Sequence, residues 1–218
     1  LMEVKLTINH EDNDLKIEKY VASDYNNNLY IVECKKTGDI MVIDAPNKIL
    51  GILEEAEVTR VNLLAITHGH FDHIEGFLGL PSAIQDHTAM HEADAINLPI
   101  APSNLLEDRD VLQLGELSIK IFHTPGHTPG GICMLIGNHL FSGDTLFPGG
   151  PGRTSSPEDL KQLILGIKNK LLTLEENTVV YPGHGENTTI RDAKREFSLF
   201  ESRPHLESLC GNVLWLRD

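Results

Sequence analysis

The sequence predicts an α/β (α+β) protein made of two successive halves, each with short strands followed by helices. Apolar residues alternate over residues 15–20 and 29–34, which predicts strands, whereas residues 48–58 carry apolar side chains at a helical spacing. The same order returns between residues 111 and 200, and no linker or low-complexity stretch divides the halves. We therefore expect one domain over residues 1–218. A four-layer αββα sandwich with two inner sheets would bury these runs, and so would an ordinary doubly wound sheet.

Four predicted strands open the first half. They are residues 2–8 and 15–20, joined by a polar turn, and residues 29–34 and 40–43, joined by a second turn. Apolar residues at 49, 50, 52, 53 and 56 then predict the helix over 48–58, and residues 63–66 predict a buried strand. The other elements predicted for this half are a short helix over residues 74–80, a strand over 82–85 and a helix over 88–96.

Two predicted hairpins open the second half. Their strands are residues 111–114 and 117–122 around Gly115-Glu116, and residues 132–136 and 139–141 around Gly137-Asn138. A helix should begin after Ser156, because serine caps a first turn, Pro157 suits its first position and acidic residues favour the helix N-terminus. This helix should run to about Leu172. The last predicted elements are a strand over residues 179–181 and a helix over 189–200.

Composition excludes several classes of function. The 218-residue chain has a formal net charge of -14, whereas proteins that bind nucleic acid normally carry a basic face. No apolar run approaches the roughly 20 residues that a membrane span needs. The N-terminal residues lack the basic-then-apolar pattern of a signal peptide, which favours the cytoplasm. Cys34, Cys133 and Cys210 are too few and too widely spaced for a disulfide framework, and we expect them to behave as small apolar residues.

The segment Thr67–His73 is the strongest functional signal in the sequence. It reads Thr-His-Gly-His-Phe-Asp-His, and it follows the apolar strand over residues 63–66. Four of its side chains are competent metal ligands: His68, His70, Asp72 and His73. So many candidate ligands within six residues, at the end of a buried strand, indicate a metal site rather than a surface loop.

Three further candidate ligands follow other predicted strands. His127 lies in the Pro/Gly-rich segment 123–131, Asp144 in Ser-Gly-Asp-Thr and His184 in Pro-Gly-His-Gly. Each combines a short apolar strand, a glycine that permits unusual backbone angles and one ligand-competent side chain. His123 is a candidate for orienting a ligand from behind it. The remaining histidines are predicted to be surface or packing residues: His10, His87, His91, His139 and His205.

Seven candidate ligands are too many for one metal ion. A zinc ion takes three or four protein ligands and keeps a position for water, so five imidazoles and two carboxylates predict two divalent metals with one carboxylate bridging them. Nitrogen and oxygen donors without thiolate suit zinc, and they also suit iron or manganese. A closed structural site is a poor alternative, because structural zinc sites use only four ligands.

These motifs, in their order and spacing, resemble the metallo-β-lactamase superfamily and, within it, the glyoxalase II-like branch. The resemblance covers about residues 15–200 and implies the αββα sandwich with the metals at one edge. By match to the family motifs, the first metal would be held by His68, His70 and His127, and the second by Asp72, His73 and His184, with Asp144 as the bridge. Arg153 stands where glyoxalase II places a basic residue that contacts glutathione.

The resemblance has two departures. Glyoxalase II carries a tyrosine two positions past that basic residue, where this chain has Ser155. Full-length glyoxalase II also continues into a helical domain with further basic contacts to glutathione, and residues 185–218 are too few to rebuild it. The chain is therefore more similar to the short bacterial glyoxalase II-like hydrolases, and its thiol carrier stays open.

The resemblance implies a hydrolase that cleaves an acyl thioester such as a hydroxyacyl-glutathione. Coordination lowers the pKa of water from about 16 to about 7, so a metal-bound hydroxide would attack the carbonyl, with Asp72 orienting it as the candidate catalytic residue. The main alternative is an iron-dependent persulfide dioxygenase of the same fold. Lactonase, other ester hydrolase and phosphodiesterase activities stay open, whereas β-lactamases do not use the Asp144 bridge. We expect a small-molecule substrate and a monomer or small homo-oligomer.

Overall fold

Two sheets form the inside of the protein. The structure, a computed structural model, describes residues 5–216, with side chains from residue 10 onward. Residues 2–4 of the strand predicted over residues 2–8 lie outside this range. Seven strands form the first sheet in chain order: β1 Lys5–Glu11, β2 Leu15–Ala22, β3 Asn27–Cys34, β4 Asp39–Ile43, β5 Leu63–Ala65, β6 Thr88–His91 and β7 Asn104–Leu106.

Six strands form the second sheet, in the order β15-β14-β11-β10-β9-β8. Their bounds are β8 Val111–Leu114, β9 Leu117–His123, β10 Ile132–Ile136, β11 His139–Gly143, β14 Val179–Pro182 and β15 Thr188–Thr189. Between β11 and β14 in the chain, β12 Leu146–Phe147 and β13 Gly150–Pro151 form a small separate ribbon.

Strand direction brings several carboxyl ends to one edge of each sheet. Strands β4, β5 and β6 pair in parallel, so the segments after Ile43, Ala65 and His91 leave the first sheet on the same side. In the second sheet, β10 is antiparallel to both β9 and β11, and β11 is parallel to β14. The segments after His123, Gly143 and Pro182 therefore also leave on one side.

Helices cover the outer faces. They are α1 Ile49–Glu55, α2 Phe71–Ile74, α3 Ser82–Gln85, α4 Glu92–Ala95, α5 Pro157–Gly166, which continues as a π-helix over Ile167–Leu171, and α6 Ile190–Glu201. A 3-10 turn spans Phe77–Gly79. The predicted cap is confirmed, because the Ser156 hydroxyl accepts a hydrogen bond of 3.1 Å from the Asp159 amide.

Three buried clusters show the four layers. Alternate residues of a strand point to opposite faces, so Tyr30 and Val32 lie between the two sheets while Ile31 lies under the helices of the first sheet. The outer cluster of the second sheet joins strands to α5 and α6, for example Leu140 to Leu163. The predicted αββα sandwich is confirmed, and the doubly wound single sheet is excluded because two sheets share the central core.

The structure corrects the prediction between residues 74 and 96. Ser82–Gln85, predicted as a strand, is helix α3: Pro81 precedes it, and the segment is too exposed for a central strand. Residues 88–96, predicted as one helix, split into β6 and α4. Thr88–His91 pairs in parallel with both β5 and β7, and this burial between strands outweighs local helical spacing. In place of the helix predicted over residues 74–80, the structure has two separate elements: α2, which begins earlier at Phe71, and the 3-10 turn over Phe77–Gly79.

Two further features bear on the class of protein. In the part of the chain that the structure describes, no helix is long and apolar enough to cross a membrane. All three cysteines are free; Cys34 and Cys133 are buried, and Cys210 is half-buried.

Candidate metal centre

The predicted ligands converge where the two sheets meet. Thr67 lies two residues after β5, and its carbonyl accepts a hydrogen bond of 2.9 Å from the Ile132 amide at the start of β10. A second link joins the sheets nearby, where the Asn28 amide of β3 donates to the Gly183 carbonyl at 2.7 Å. These bonds place the segments after β5, β9, β11 and β14 around one space.

All seven predicted ligands surround this space. Their donor atoms fall into groups whose members lie within 4.8 Å of one another: His68, His70 and His127; Asp72, His73 and His184; and His68, His73 and Asp144. The first two groups are the two sets that the sequence motifs suggested. The cluster is therefore able to bind metal ions.

Asp144 lies between the two sets. Its Oδ2 is 3.4 Å from His127 Nε2 and 3.7 Å from His184 Nε2, while its Oδ1 is 3.6 Å from His73 Nε2. One carboxylate thus faces histidines of both sets. This is the position that a bridging ligand would occupy.

Two buried atoms support a metal by having no partner within the described chain. His127 Nε2 and Asp144 Oδ1 are shielded from solvent and make no hydrogen bond. A buried polar atom without a partner is costly, and a cation is a partner that satisfies both a ring nitrogen and a carboxylate oxygen. The residues present therefore fit a divalent metal.

The histidine rings are oriented by bonds from their far nitrogens. Nδ1 of His73 donates to the Asp44 carboxylate at 2.8 Å, Nδ1 of His127 to the Arg153 carbonyl at 2.7 Å, and Nδ1 of His184 to the Tyr25 carbonyl at 3.1 Å. Since these oxygens only accept, each Nδ1 carries a proton, and in the neutral ring the lone pair of Nε2 faces the centre.

The pKa values of the candidate ligands are shifted in different directions. Burial, together with the neighbouring histidines, lowers the pKa of His68 well below its usual value. Burial also lowers the pKa of His73, but the carboxylates of Asp44, Asp144 and Asp72 outweigh it and raise that pKa to about 9. Burial alone would raise the pKa of Asp72. The hydrogen bonds from His184 and Asn27 and the charge of His73 outweigh burial, so the pKa is low and the carboxylate is charged.

Sequence reasoning missed Asp44, which supports two ligand positions. The residue is 1% exposed, and its side chain accepts hydrogen bonds from the Thr67 amide at 2.7 Å and the Thr67 hydroxyl at 2.9 Å, in addition to His73. The Thr67 hydroxyl in turn lies 3.0 Å from His68 Nδ1. Asp44 directly follows β4, beside the strand that precedes His68, and this position after a strand was the available signal.

Asn27 is a second residue that the sequence did not reveal. Its side-chain amide donates to Asp72 Oδ2 at 2.8 Å, and its own oxygen accepts a short bond from the Ser23 hydroxyl. It is fully buried. Asn27 therefore fixes the orientation of the Asp72 carboxylate.

A family model described as the metallo-β-lactamase superfamily matches residues 23–184, which include every predicted ligand. The chain belongs to the metallo-β-lactamase superfamily. Its relatives include hydroxyacylglutathione hydrolase GloC of Haemophilus influenzae, 31% identical over 190 residues that cover 74% of this chain and 87% of GloC. The metallo-β-lactamase fold and these relatives support a metal-dependent hydrolase.

Two solved structures of similar fold are informative. ETHE1 from Myxococcus xanthus has a TM-score of 0.71 and 26% identity, covering 82% of this chain and 81% of that one. The protein TTHA1623, solved in a di-iron-bound form, has a TM-score of 0.63 and 29% identity, covering 80% of this chain and 96% of that one. The metallo-β-lactamase fold is therefore shown by both family match and structure.

The other predicted site residues lie outside the ligand cluster. The Arg153 carbonyl holds His127, while its side chain is exposed and makes no salt bridge with any residue from 10 to 216. The Nε2 of His123 donates to the Pro129 carbonyl at 2.9 Å, and its ring stacks on His91 with centroids 3.7 Å apart; neither partner is a candidate ligand. His139 bonds the Tyr181 hydroxyl at 2.9 Å, which is a packing role.

Proposed function

We propose that this protein hydrolyses an acyl thioester, with a hydroxyacyl-glutathione or a related thiol conjugate as substrate. The observation that carries the proposal is the position of Asp144 between two sets of three ligands. Two cations joined by a carboxylate suit hydrolysis of an acyl bond. The likeness to hydroxyacylglutathione hydrolases supports a thioester rather than another ester.

In this proposal His68, His70 and His127 hold one divalent metal, Asp72, His73 and His184 hold the other, and Asp144 bridges them. When bound, the metals would supply water of lowered pKa as the nucleophile and a Lewis acid for the acyl oxygen. Zinc is our first choice for this nitrogen and oxygen donor set, and the di-iron form of TTHA1623 keeps iron as the principal alternative; manganese also suits the donors.

Two further side chains have proposed roles. The Asp72 carboxylate is held through one oxygen by Asn27, so we propose that its other oxygen orients the attacking water. The exposed guanidinium of Arg153 extends from the segment whose main chain holds His127, and we propose that it binds an anionic group of the thiol carrier. In both roles the acyl bond of the substrate would lie next to the metal cluster.

We also propose that residues 1–218 act as one hydrolase domain on a small molecule, as a monomer or small homo-oligomer. The three free thiols fit a reducing compartment, and the cytoplasm is our proposed location.

A second candidate is an iron-dependent persulfide dioxygenase. The likeness to ETHE1, at 26% identity over most of both chains, fits this alternative. The two activities differ in metal content and in oxygen consumption. They are therefore separable in a single preparation.

The test is elemental analysis of the purified protein alongside a substrate panel. The panel contains lactoylglutathione, a second thioester, a lactone, a nitrocephin-type lactam and glutathione persulfide. We expect close to two metals per chain and the fastest turnover on a thioester. Oxygen consumption with the persulfide and one iron per chain would instead establish the dioxygenase, and turnover of the lactam or lactone alone would overturn the thioester proposal.

A further inference from the structure

Asp94 joins two metal-ligand segments from behind. It lies on α4, just after β6, and its side chain is 1% exposed. Its Oδ2 accepts a hydrogen bond of 2.8 Å from the amide of Gly69, which stands between His68 and His70. Its Oδ1 accepts one of 2.7 Å from the amide of Gly130, three residues after His127.

The two glycines fit the close approach of Asp94. A Cβ on Gly130 would lie 2.6 Å from the Asp94 carboxyl carbon and 2.7 Å from its amide nitrogen. A Cβ on Gly69 would lie 3.1 Å from the Asp94 Cβ and 2.4 Å from the Asn97 side-chain nitrogen. A side chain at position 130 would therefore displace Asp94, and one at position 69 would first displace Asn97.

A second contact ties the same corner together. His91, at the end of β6, stacks on His123, whose Nε2 bonds the carbonyl of Pro129, the residue before Gly130. Asp94 makes no salt bridge with a lysine, arginine or histidine among the residues whose side chains the structure describes. Its carboxylate is therefore used entirely for the two backbone amides, one from each segment.

We propose that Asp94 is a positioning residue that fixes the separation of the His68–His70 segment from the His127 segment. Each carboxylate oxygen holds one segment, so the Asp94 side chain sets the geometry of the set His68, His70 and His127. Each ligand of the second set has its own direct partner elsewhere: Asp44 for His73, Asn27 for Asp72 and the Tyr25 carbonyl for His184. The inference rests on the proposed metal centre, and it predicts that the two metals respond differently to a change at position 94.

Asp94→Asn is the direct test. Asparagine keeps the shape but has one acceptor oxygen, so it accepts from one glycine amide and presents an NH₂ group to the other. In chelator competition with the cobalt-substituted protein, we expect one metal to be released at about 10–100-fold lower chelator concentration than in the wild type, the usual range for residues that support a ligand. The other metal should keep its affinity, and the visible spectrum should lose the contribution of one ion only.

Glu92→Gln is the matched control. It removes a carboxylate from an exposed position of the same short helix, and we expect two metals with unchanged affinity. Equal release of both metals from Asp94→Asn, or wild-type affinity at both, would overturn the inference. Fewer than two metals in the wild type would instead count against the proposed two-metal centre.

Hydrogen exchange tests the same contact without depending on metal content or on the stability of the variant. In the wild-type protein the amides of Gly69 and Gly130 should both be protected, because each donates to a buried carboxylate. If Asp94→Asn folds, one or both should exchange at least tenfold faster than in Glu92→Gln. Exchange of either amide in the wild type at the rate of an exposed loop would overturn the inference.

Discussion

His73 Nδ1 and the Asp44 carboxylate form a buried hydrogen bond of 2.8 Å, with His73 fully buried and Asp44 1% exposed. Asp44 has a φ of 66°, a left-handed conformation that few residues other than glycine, asparagine and aspartate adopt readily. Asp44 is held in this conformation by hydrogen bonds from Thr67 as well as His73. Asp44 thus connects the end of β4 to the ligand segment after β5.

Asp44→Asn removes the charge of this pair together with one acceptor oxygen. Asparagine tolerates the positive φ, so the backbone should be retained, while the loss of the carboxylate removes the main attraction that raises the pKa of His73. We expect that pKa to fall in the metal-free protein and affinity for the second metal to drop about 10–100-fold. The measurements are NMR titration of the ring and chelator competition. Asp86→Asn, at an exposed position, is the control, and an unchanged His73 titration would contradict the assignment.

Metal affinity should depend on pH in a defined direction. In the metal-free protein the pKa of His73 is about 9 and that of His184 is also raised, by its Asp72 bond against the effect of burial. A ligand ring must be neutral, so uptake of metal at pH 7 should release protons and affinity should rise as pH increases towards 9. Calorimetry in two buffers of different ionisation enthalpy measures this release. A heat independent of the buffer would be inconsistent with it.

The same shift predicts the opposite trend for the metal-free fold. The folded pKa of His73 lies above its unfolded value of about 6.5, so the charged pair with Asp44 stabilises the protein fully below that value. This contribution is lost as pH rises through about 9. Thermal unfolding of metal-free protein between pH 6.5 and 9 should show a falling melting temperature, which Asp44→Asn should flatten.

Gly183→Ala should disturb the centre through packing alone. A Cβ at this position would lie 2.3 Å from Asp144 Oδ1 and 2.8 Å from His73 Cε1, so these side chains would have to shift. We expect reduced metal content and at least a tenfold loss of thioesterase activity. Gly51→Ala is the control: its added Cβ meets nothing within 4 Å, and alanine should stabilise helix α1 by about 0.5–1 kcal/mol. Equal activity of the two variants would contradict this role of Gly183 in the packing of the centre.

Arg153→Ala tests substrate binding separately from the metals. The substitution keeps the main-chain carbonyl that holds His127, so metal content should not change. Loss of the exposed guanidinium should raise KM for an anionic substrate more than it lowers kcat. Arg60→Ala, another exposed arginine, should leave both constants unchanged. A wild-type KM for Arg153→Ala would exclude Arg153 from substrate binding.

The fold was predictable where pattern and packing agree. Ile17 lies between Lys16 and Glu18, and Gly137-Asn138 favours a tight hairpin, so these strands appear as predicted. Thr88–His91 was mistaken for helix because its burial comes from strands β5 and β7, and a local window contains neither. The formation of a short parallel strand depends on neighbouring strands that are distant in the chain.

The candidate centre was predictable in its ligands but not in its supports. His68, His70, Asp72 and His73 are adjacent in sequence, and each remaining ligand follows a strand and a glycine. Asp44 and Asp94 carry no such local motif, since they act through backbone amides and rings supplied by other segments. Only the parallel arrangement of β4, β5 and β6 brings their carboxylates behind the ligands.

Asp144→Ala tests the central claim most directly, through metal content measured beside thioester hydrolysis in the same preparation. The wild type should contain close to two metals per chain and hydrolyse the thioester. The variant lacks the carboxylate that faces His73, His127 and His184, so it should bind less metal and lose hydrolysis. Near-normal turnover by Asp144→Ala would contradict the two-metal mechanism.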